Sequence, residues 1–266
     1  MTLVSSYRSS RELLLNLTLR ELRSKYKRSF LGWAWSMVNP LMTMAVYTIV
    51  FRLFFRANPD PGVDGINSYA LFLMCALIPW TFFSSTVMGS IGSLVGNASL
   101  IQKTYFPRKL LPASSMGANL VTLGIEMGLL TLVLLGFGDY QALEFLPVTV
   151  VLIVVLAVFS FGMGLLVSAL NVYFRDVEHF MNIVLLVWIY LTPVIYPLTL
   201  PGVQRFLTLL KINPMTEMAE CFRSTLYYGR LPTAIEFGYF LAASLVVLAI
   251  GWVVFSRLET RMAEEL

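Results

Sequence analysis

The chain has 266 residues, of which 58% are hydrophobic and only 13% charged, and its formal net charge is +4. Soluble domains carry about a quarter charged residues, so this composition excludes a soluble globular protein. The mean hydropathy of +0.76 and the long continuous apolar runs predict an all-α integral membrane protein, because backbone polar groups in lipid must be satisfied within the protein. The basic residues fall in particular loops, which argues against a nucleic-acid partner. Two cysteines are too few for a disulfide framework or a metal site.

Residues 9–29 are predicted to form an amphipathic helix along the membrane surface. Ser9 and Glu12 have the spacing of a capping box. The apolar stripe comprises Leu15, Leu19, Leu22 and Tyr26, and the basic stripe comprises Arg20, Arg23 and Lys27. An apolar face beside a basic face is typical of an interfacial helix. Two interpretations stay open: an anchor that only sets the topology, or a docking surface for a cytoplasmic partner.

Six apolar runs are predicted to cross the membrane, since about 20 residues are needed to span ~30 Å of hydrocarbon. The runs are residues 34–54, 69–94, 114–137, 145–170, 180–196 and 237–255. They divide the chain into a cytoplasmic segment 1–33, a transmembrane domain 34–256 and a cytoplasmic tail 257–266.

The distribution of basic residues predicts the orientation. With the first residues inside, 13 of the 19 Lys and Arg residues lie in cytoplasmic segments and 5 in outer loops, as the positive-inside rule requires. The N- and C-termini are therefore both expected in the cytoplasm.

The cytoplasmic loop 97–112 combines basic and aromatic side chains with two prolines. Aromatic and Arg side chains typically anchor interfaces, and Pro107 would redirect the chain beside them. Binding to a cytoplasmic partner is one interpretation. Basic side chains that extend to lipid headgroups are the other.

The outer segment 200–236 is long but not very polar. Asn213 followed by Pro214 suits an N-cap and a first helical position. We predict two short amphipathic helices, one on each side of Asn213, in or near the outer leaflet. A plain surface hairpin is the alternative.

The chain shows little that is typical of catalysis, and no catalytic residue is assigned. His179 is the only histidine and is expected in a solvated turn rather than in a metal site. No G-x-x-x-x-G-K-[ST] loop is present, because Gln102 precedes Lys103-Thr104. Glu126 lies deep inside a predicted span, where it could line a pathway or make a helix–helix hydrogen bond. The candidate pathway residues are Trp33, Trp35, Tyr47, Trp80 and Glu126.

Several stretches together resemble the ABC-2 type permeases that export lipid-linked polysaccharides such as O-antigen, capsule and teichoic acid. The matching stretches are LTLRELRSKYKRSFLGWAWSMVNPL, YFPRKLLP, SALNVYFRDVEHF, LTPVIYP and the Asn213-Pro214 pair. They occur in the same order as in that family and cover nearly the whole chain.

The resemblance implies a role for each matching element. A helix with Arg20, Arg23, Lys25 and Tyr26 would pack on a partner ATPase, and Leu31 and Gly32 would constrict the cytoplasmic entrance. The coupling element would comprise Lys103, Thr104, Tyr105, Phe106, Pro107, Arg108 and Lys109. Arg175 and Asp176 would serve a structural or secondary coupling role. Asn213, Pro214 and Phe222 would belong to paired outer gate helices.

The resemblance also implies the assembly. Two copies of this chain and two ATPase subunits would move an undecaprenyl-linked polysaccharide across the bacterial cytoplasmic membrane. ATP and Mg²⁺ would be bound by the ATPase, and this chain would bind no cofactor. The alternatives are an ABC-2 permease for a small drug or a lipid, and a membrane-embedded sugar transferase.

Overall fold

The computed structural model describes residues 3–25, 35–50, 60–63, 68–104 and 106–265, which form helices and connecting turns without a strand. The helices of this part are α1 (Leu3–Lys25), α2 (Trp35–Thr48), α3 (Tyr69–Val95), α4 (Ala98–Lys103), α5 (Leu110–Gly136), α6 (Gln141–Glu144), α7 (Leu146–Tyr173), α8 (Val177–Leu191), α9 (Pro201–Gln204), α10 (Leu207–Ile212), α11 (Pro214–Leu226), α12 (Ala234–Leu258) and α13 (Met262–Glu265). The all-helical fold predicted from the sequence is confirmed for these residues.

Four of the helices are long and apolar enough to cross a membrane, namely α3, α5, α7 and α12. They contain 25 to 28 residues each, which corresponds to about 38–42 Å. They coincide with the second, third, fourth and sixth predicted spans, so these four predictions are confirmed as apolar helices of sufficient length.

The other two predicted spans correspond to shorter helices. Helix α2 has 14 residues, and the end of that predicted span, residues 51–54, lies outside the described residues. Helix α8 has 15 residues and ends at Leu191. It stops there because Pro193 follows Thr192, and a residue before proline avoids the helical region. Thr192 accordingly has extended dihedral angles of −110° and 134°.

The core forms around α3, which is buried along most of its length against α5, α7 and α11. Aromatic rings fill its centre. Phe83 contacts Phe159 and Trp188, with ring centroids 5.5 and 5.3 Å apart, and Trp80 lies 6.2 Å from Trp188. The two pairs that involve Trp188 are edge-to-face, and such pairs add to the stabilisation from burial.

Helices α7 and α12 approach each other closely because two glycines face each other. A Cβ atom on Gly162 would lie 2.6 Å from the Cα atom of Leu248, and one on Gly251 would overlap the carbonyl oxygen of Gly162. Small residues allow such backbone contact between apolar helices, where packing rather than water exclusion drives association.

The helix ends gather on two sides of the bundle. On the α4 side, Arg20 of α1 donates to Asn97 at 2.7 Å, and Tyr173 at the end of α7 donates to the carbonyl of Leu258 at 3.1 Å. On the α11 side, the backbone N–H of Val63 donates to Tyr227 O at 3.0 Å. The α4 side therefore holds the ends of α1, α3, α7 and α12, and the α11 side holds the starts of α3, α7 and α12.

Helix α1 differs from the prediction in its start and its buried face. It begins at Leu3, so Ser9 lies within the helix instead of capping it. Leu17 and Leu22 are buried, whereas Leu15 and Leu19 are about half exposed at 53% and 47%. Contact with α5, where Thr18 meets Gly117, selects this face.

Candidate functional site

The predicted coupling element lies at the α4 side, in α4 and the turn that follows it. Lys103, Thr104 and Pro107 are exposed, whereas Phe106 packs partly against a cluster formed by α1, α3, α5, α7 and α12. Tyr105 lies outside the described residues. The element therefore presents a small polar surface that is anchored by an apolar side chain.

Arg108 and Lys109 are bound to the end of α12. The guanidinium of Arg108 donates to the carbonyl of Glu259. The ammonium of Lys109 donates to Ser256 Oγ at 2.9 Å and lies 3.6 Å from the centroid of the Trp252 ring. Both residues were predicted to belong to the element that meets the ATPase. In the folded chain their side chains connect that element to α12.

The predicted docking residues of α1 face in different directions. Arg20 contacts Asn97 and Glu21, Arg23 is exposed, and Lys25 donates to Asn119 Oδ1 of α5 at 3.2 Å. Lys25 thus points along the bundle rather than away from it. Tyr26 and the predicted entrance residues Leu31, Gly32 and Trp33 lie outside the described residues.

The turn between α7 and α8 is exposed. Arg175 and Asp176 both face solvent, and neither forms an ion pair with another described residue. His179 is exposed in the first turn of α8. Among the described residues, His, Cys, Asp and Glu side chains form no group that could hold a metal ion.

Asn213 caps α11 and connects it to the end of α8. Its side-chain oxygen accepts from Met215 N at 3.1 Å and from Trp188 Nε1 at 3.0 Å. Its amide nitrogen donates to Thr192 Oγ1 at 2.9 Å. The predicted N-cap at Asn213 with Pro214 in the first turn is confirmed, as are the two short helices, α10 and α11, on either side of it.

Arg223 of α11 is the largest fully buried side chain among the described residues. It donates to the carbonyl of Val194 at 2.7 Å and to Glu220 at 3.0 Å, and it lies 3.8 Å from the centroid of the Phe72 ring. Val194 lies in the non-helical segment after α8, and backbone there needs partners within the protein. Arg223 belongs to the predicted outer segment 200–236, and the sequence prediction assigns it no role. Its place directly after Phe222 in the sequence was the available signal.

Glu217 is a second buried charge of α11, at 7% exposure. Burial raises the pKa of its carboxyl group, and the negative charges of Glu236 and Glu220 raise it further, while Lys211 acts in the opposite direction. Helix α11 therefore carries one tightly bound cation and one buried acid whose pKa is raised above its ordinary value.

The predicted pathway residues fall into two groups. Trp80 is 4% exposed and belongs to the aromatic core, and Tyr47 packs against that core. Trp35 and Glu126 instead line a cavity of about 430 Å³ between α1, α2, α3 and α5. Trp33 lies outside the described residues.

Two further polar residues of α5, Asn119 and Thr122, line the same cavity and were missed in the sequence analysis. With Glu126 they recur at intervals of three and four residues. That spacing places them on one face of a helix, and a polar stripe within an apolar span was the signal that could have identified them.

Comparison with known proteins identifies the family of the chain. The model of the ABC-2 type transporter family matches residues 12–227. The chain is 31% identical to an O-antigen export system permease protein, RfbA, of Myxococcus xanthus over 96% of this chain and 94% of that protein. It is 29% identical to the protein of the same name from Klebsiella pneumoniae, over 95% and 94%. It is 24% identical to the polysialic acid transport protein KpsM of Escherichia coli, over 92% and 93%. The family predicted from the sequence is thus confirmed, and the chain belongs to the ABC-2 type transporter family.

Proposed function

We propose that this chain is the membrane permease subunit of an ATP-driven exporter that moves lipid-linked polysaccharide across the bacterial cytoplasmic membrane. The observation that carries the proposal is the similarity, over more than nine-tenths of the chain, to two O-antigen export permeases and to a polysialic acid transport protein. The polysaccharide is expected to be of the O-antigen or capsule type and to be linked to undecaprenyl diphosphate.

The energy would come from a separate ATPase, because the chain has no phosphate-binding loop of the Walker type. The exposed residues Lys103, Thr104 and Pro107 are the surface we assign to contact with that ATPase. The ATP-bound ATPase would bind one arrangement of the permease helices more tightly than another, so ATP binding would favour that arrangement. The contacts of Arg108 and Lys109 would carry movement of this surface to α12.

Six crossings of the membrane, with both chain ends in the cytoplasm, are supported by the positions of the helix ends. The end of α1 and the start of α3 lie on opposite sides of the bundle, so the chain crosses it through α2. The end of α7 and the start of α12 likewise lie on opposite sides, so the chain crosses through α8 and the segment after it. The α4 side would face the cytoplasm, where the positive-inside rule places the basic loop.

The transport unit would contain two copies of this chain and two ATPase subunits. Closed two-fold symmetry is the commonest way to complete an assembly from one kind of subunit. Helices α10 and α11 would act as the outer gate, with Asn213 and Pro214 at their junction and Phe222 within α11. The bonds of Asn213 to Trp188 and Thr192 and the burial of Arg223 would let these helices move as a unit with the end of α8.

Depletion of this chain in the cells that make it tests the function. Undecaprenyl-linked glycan should accumulate inside the cells, and re-expression should return it to the surface. Normal glycan at the surface after depletion would overturn the proposal. Retention of a small drug or a lipid instead would favour another ABC-2 permease, and sugar transfer by the purified chain alone would favour a transferase.

A further inference from the structure

The cavity between α1, α2, α3 and α5 places several polar side chains within a wall whose surface is otherwise mainly apolar. Eight of its eleven lining residues carry polar or charged side chains. Its volume of about 430 Å³ falls within the range of ~300–1,000 Å³ that is typical of ligand sites. Polar groups within membrane helices are costly and usually serve a function, so the lining requires an explanation beyond packing.

The polar groups are arranged by depth. Asn119 lies nine residues from the start of α5 and Glu126 lies sixteen, which corresponds to about 14 and 24 Å along the axis. Lys25, at the end of α1, reaches the cavity at the level of Asn119. The cavity thus has a cation toward the α4 side and an acid near the middle of the bundle.

Glu126 is only 8% exposed, and its carboxylate accepts no hydrogen bond from another described residue. The Lys25 charge acts on it from across the cavity. Glu126 lines the cavity, so this buried acid is a hydrogen-bonding group that has no hydrogen-bond partner among the described residues. A ligand with hydroxyl groups would supply that partner.

The remaining lining indicates the class of ligand. The amides of Asn39 and Asn119 can donate to or accept from a sugar hydroxyl. The hydroxyl of Thr122 donates to the carbonyl of Ala118 at 3.4 Å and can still accept a hydrogen bond. Trp35 is 42% exposed at the wall of the cavity, and its ring offers a flat apolar surface to the C–H face of a pyranose. A lysine ammonium is a common partner for phosphate.

We infer that this cavity binds the phosphate-linked sugar of a lipid-linked glycan, with the phosphate at Lys25 and the sugar hydroxyls at Asn39, Asn119 and Glu126. The inference rests on the proposed function and identifies where the chain recognises the lipid-proximal end of its substrate. A second cavity of about 390 Å³ shares Lys25, Ser85 and Asn119 and extends along α1, which provides an approach from the α4 side.

Protection of an introduced cysteine tests the inference directly. Ser85 is exposed and lines the cavity, whereas the native Cys75 and Cys221 are fully buried. In the full-length chain in nanodiscs, Ser85→Cys should react with a small maleimide. Thr199→Cys, exposed on the α11 side, is the matched control. The probe is farnesyl diphosphate that carries one N-acetylglucosamine, compared with farnesyl diphosphate, inorganic pyrophosphate and phosphatidylglycerol.

The glycosylated probe should slow the reaction of the maleimide with Ser85→Cys but not with Thr199→Cys. It should protect Ser85→Cys at a concentration about tenfold lower than the concentration at which farnesyl diphosphate protects it. Adding Glu126→Gln should abolish that advantage, and adding Lys25→Met should weaken both diphosphate probes about tenfold. Co-purification with the ATPase shows that the variants are folded.

Equal protection by the two farnesyl probes would show that the cavity does not recognise the sugar. Equal protection by inorganic pyrophosphate and the farnesyl probes would show that it does not recognise a lipid-linked ligand. Protection by phosphatidylglycerol alone would make the cavity a membrane-lipid site. These results leave the proposed function intact if glycan still accumulates when the chain is depleted. Without such accumulation, the proposed function itself fails.

Discussion

The ammonium group of Lys109 lies 3.6 Å from the centroid of the Trp252 ring and donates to Ser256, one turn further along α12. Lys109 is the N-cap residue of α5, and it lies 147 positions before Ser256 in the sequence. This contact and the adjacent bond from Arg108 to Glu259 join the turn after α4 to the end of α12. The basic residues of the turn therefore have two different roles: some connect helices and others are exposed.

Charge reversal at Lys103 should separate these two roles. Lys103 is exposed beside Thr104, so Lys103→Glu should reduce co-purification of the ATPase without changing the thermal unfolding temperature of the permease. Arg205→Glu, exposed on the α11 side, is the control and should leave both unchanged. Undiminished co-purification for Lys103→Glu would show that this surface does not contact the ATPase.

Loss of the Lys109 side chain should instead affect the stability of the permease and the coupling of ATP hydrolysis to export. Lys109→Ala removes the contact with Trp252 and the bond to Ser256, which together contribute about 1–2 kcal/mol. The variant should unfold at a lower temperature, and ATP hydrolysis should continue with less glycan export. If the variant exported as much glycan per ATP hydrolysed as the wild type does, movement of the ATPase would reach the membrane helices by another route.

Replacement of Gly251 by alanine should separate α7 from α12. The new Cβ atom would overlap the carbonyl oxygen of Gly162, which is backbone and cannot move independently. A loss of about 1–3 kcal/mol is expected, as for other overpacked interiors. Gly238→Ala in the same helix is the matched control, because no atom lies within 4 Å of its Cβ position. Equal unfolding temperatures for the two variants in detergent would contradict the close packing.

Replacement of Arg223 by alanine should destabilise the junction of α11 with the segment after α8. The carbonyl of Val194 would lose its side-chain donor, and the carboxylate of Glu220 would lose its ion-pair partner. Breaking a buried pair costs about 3–5 kcal/mol. Arg223→Lys keeps the charge but lacks the planar group and should recover only part of the loss.

Yield and unfolding temperature would measure the effect of these two changes. Arg230 is exposed and lies 5.0 Å from the Tyr228 ring, so Arg230→Ala is a suitable control that should remain near the wild type. An Arg223→Ala protein as stable as this control would show that the guanidinium bonds contribute nothing.

The stability of α11 should depend on pH through Glu217. Because its pKa in the folded state lies above the ordinary value of 4.5, the folded state holds the proton more tightly than the unfolded chain. The stabilising contribution is therefore present below about pH 4.5 and is lost as the pH rises through the folded-state pKa. Glu217→Gln should match the wild type at low pH and exceed its unfolding temperature at neutral pH. A difference that is constant across pH, or that grows on acidification, would contradict this assignment.

The cavity residues show how much of the candidate site could be predicted from the sequence. The position of Glu126 inside an apolar run identified it as unusual, but its two interpretations could not be separated without knowing which face of α5 meets another helix. The structure directs the carboxylate into the cavity with Lys25 instead of to a neighbouring helix. Lys25 itself was assigned to partner docking, because its place in a basic segment gave no indication that α1 turns it toward Asn119.

The sequence by itself determined the features that depend on local chemistry. Long apolar runs predict membrane helices regardless of the segments that pack against them. Asn213 caps a helix through a bond to the backbone N–H two residues later, and the order of the motifs along the chain indicates the family. The tertiary structure alone decided which residues meet across the bundle: Gly162 with Gly251, Lys109 with Trp252, Arg223 with Val194, and Lys25 with Asn119. These pairs are separated by 29 to 143 residues in the sequence, and no local period specifies them. They form because helix packing brings distant polar groups out of water, where each must find a partner within the protein.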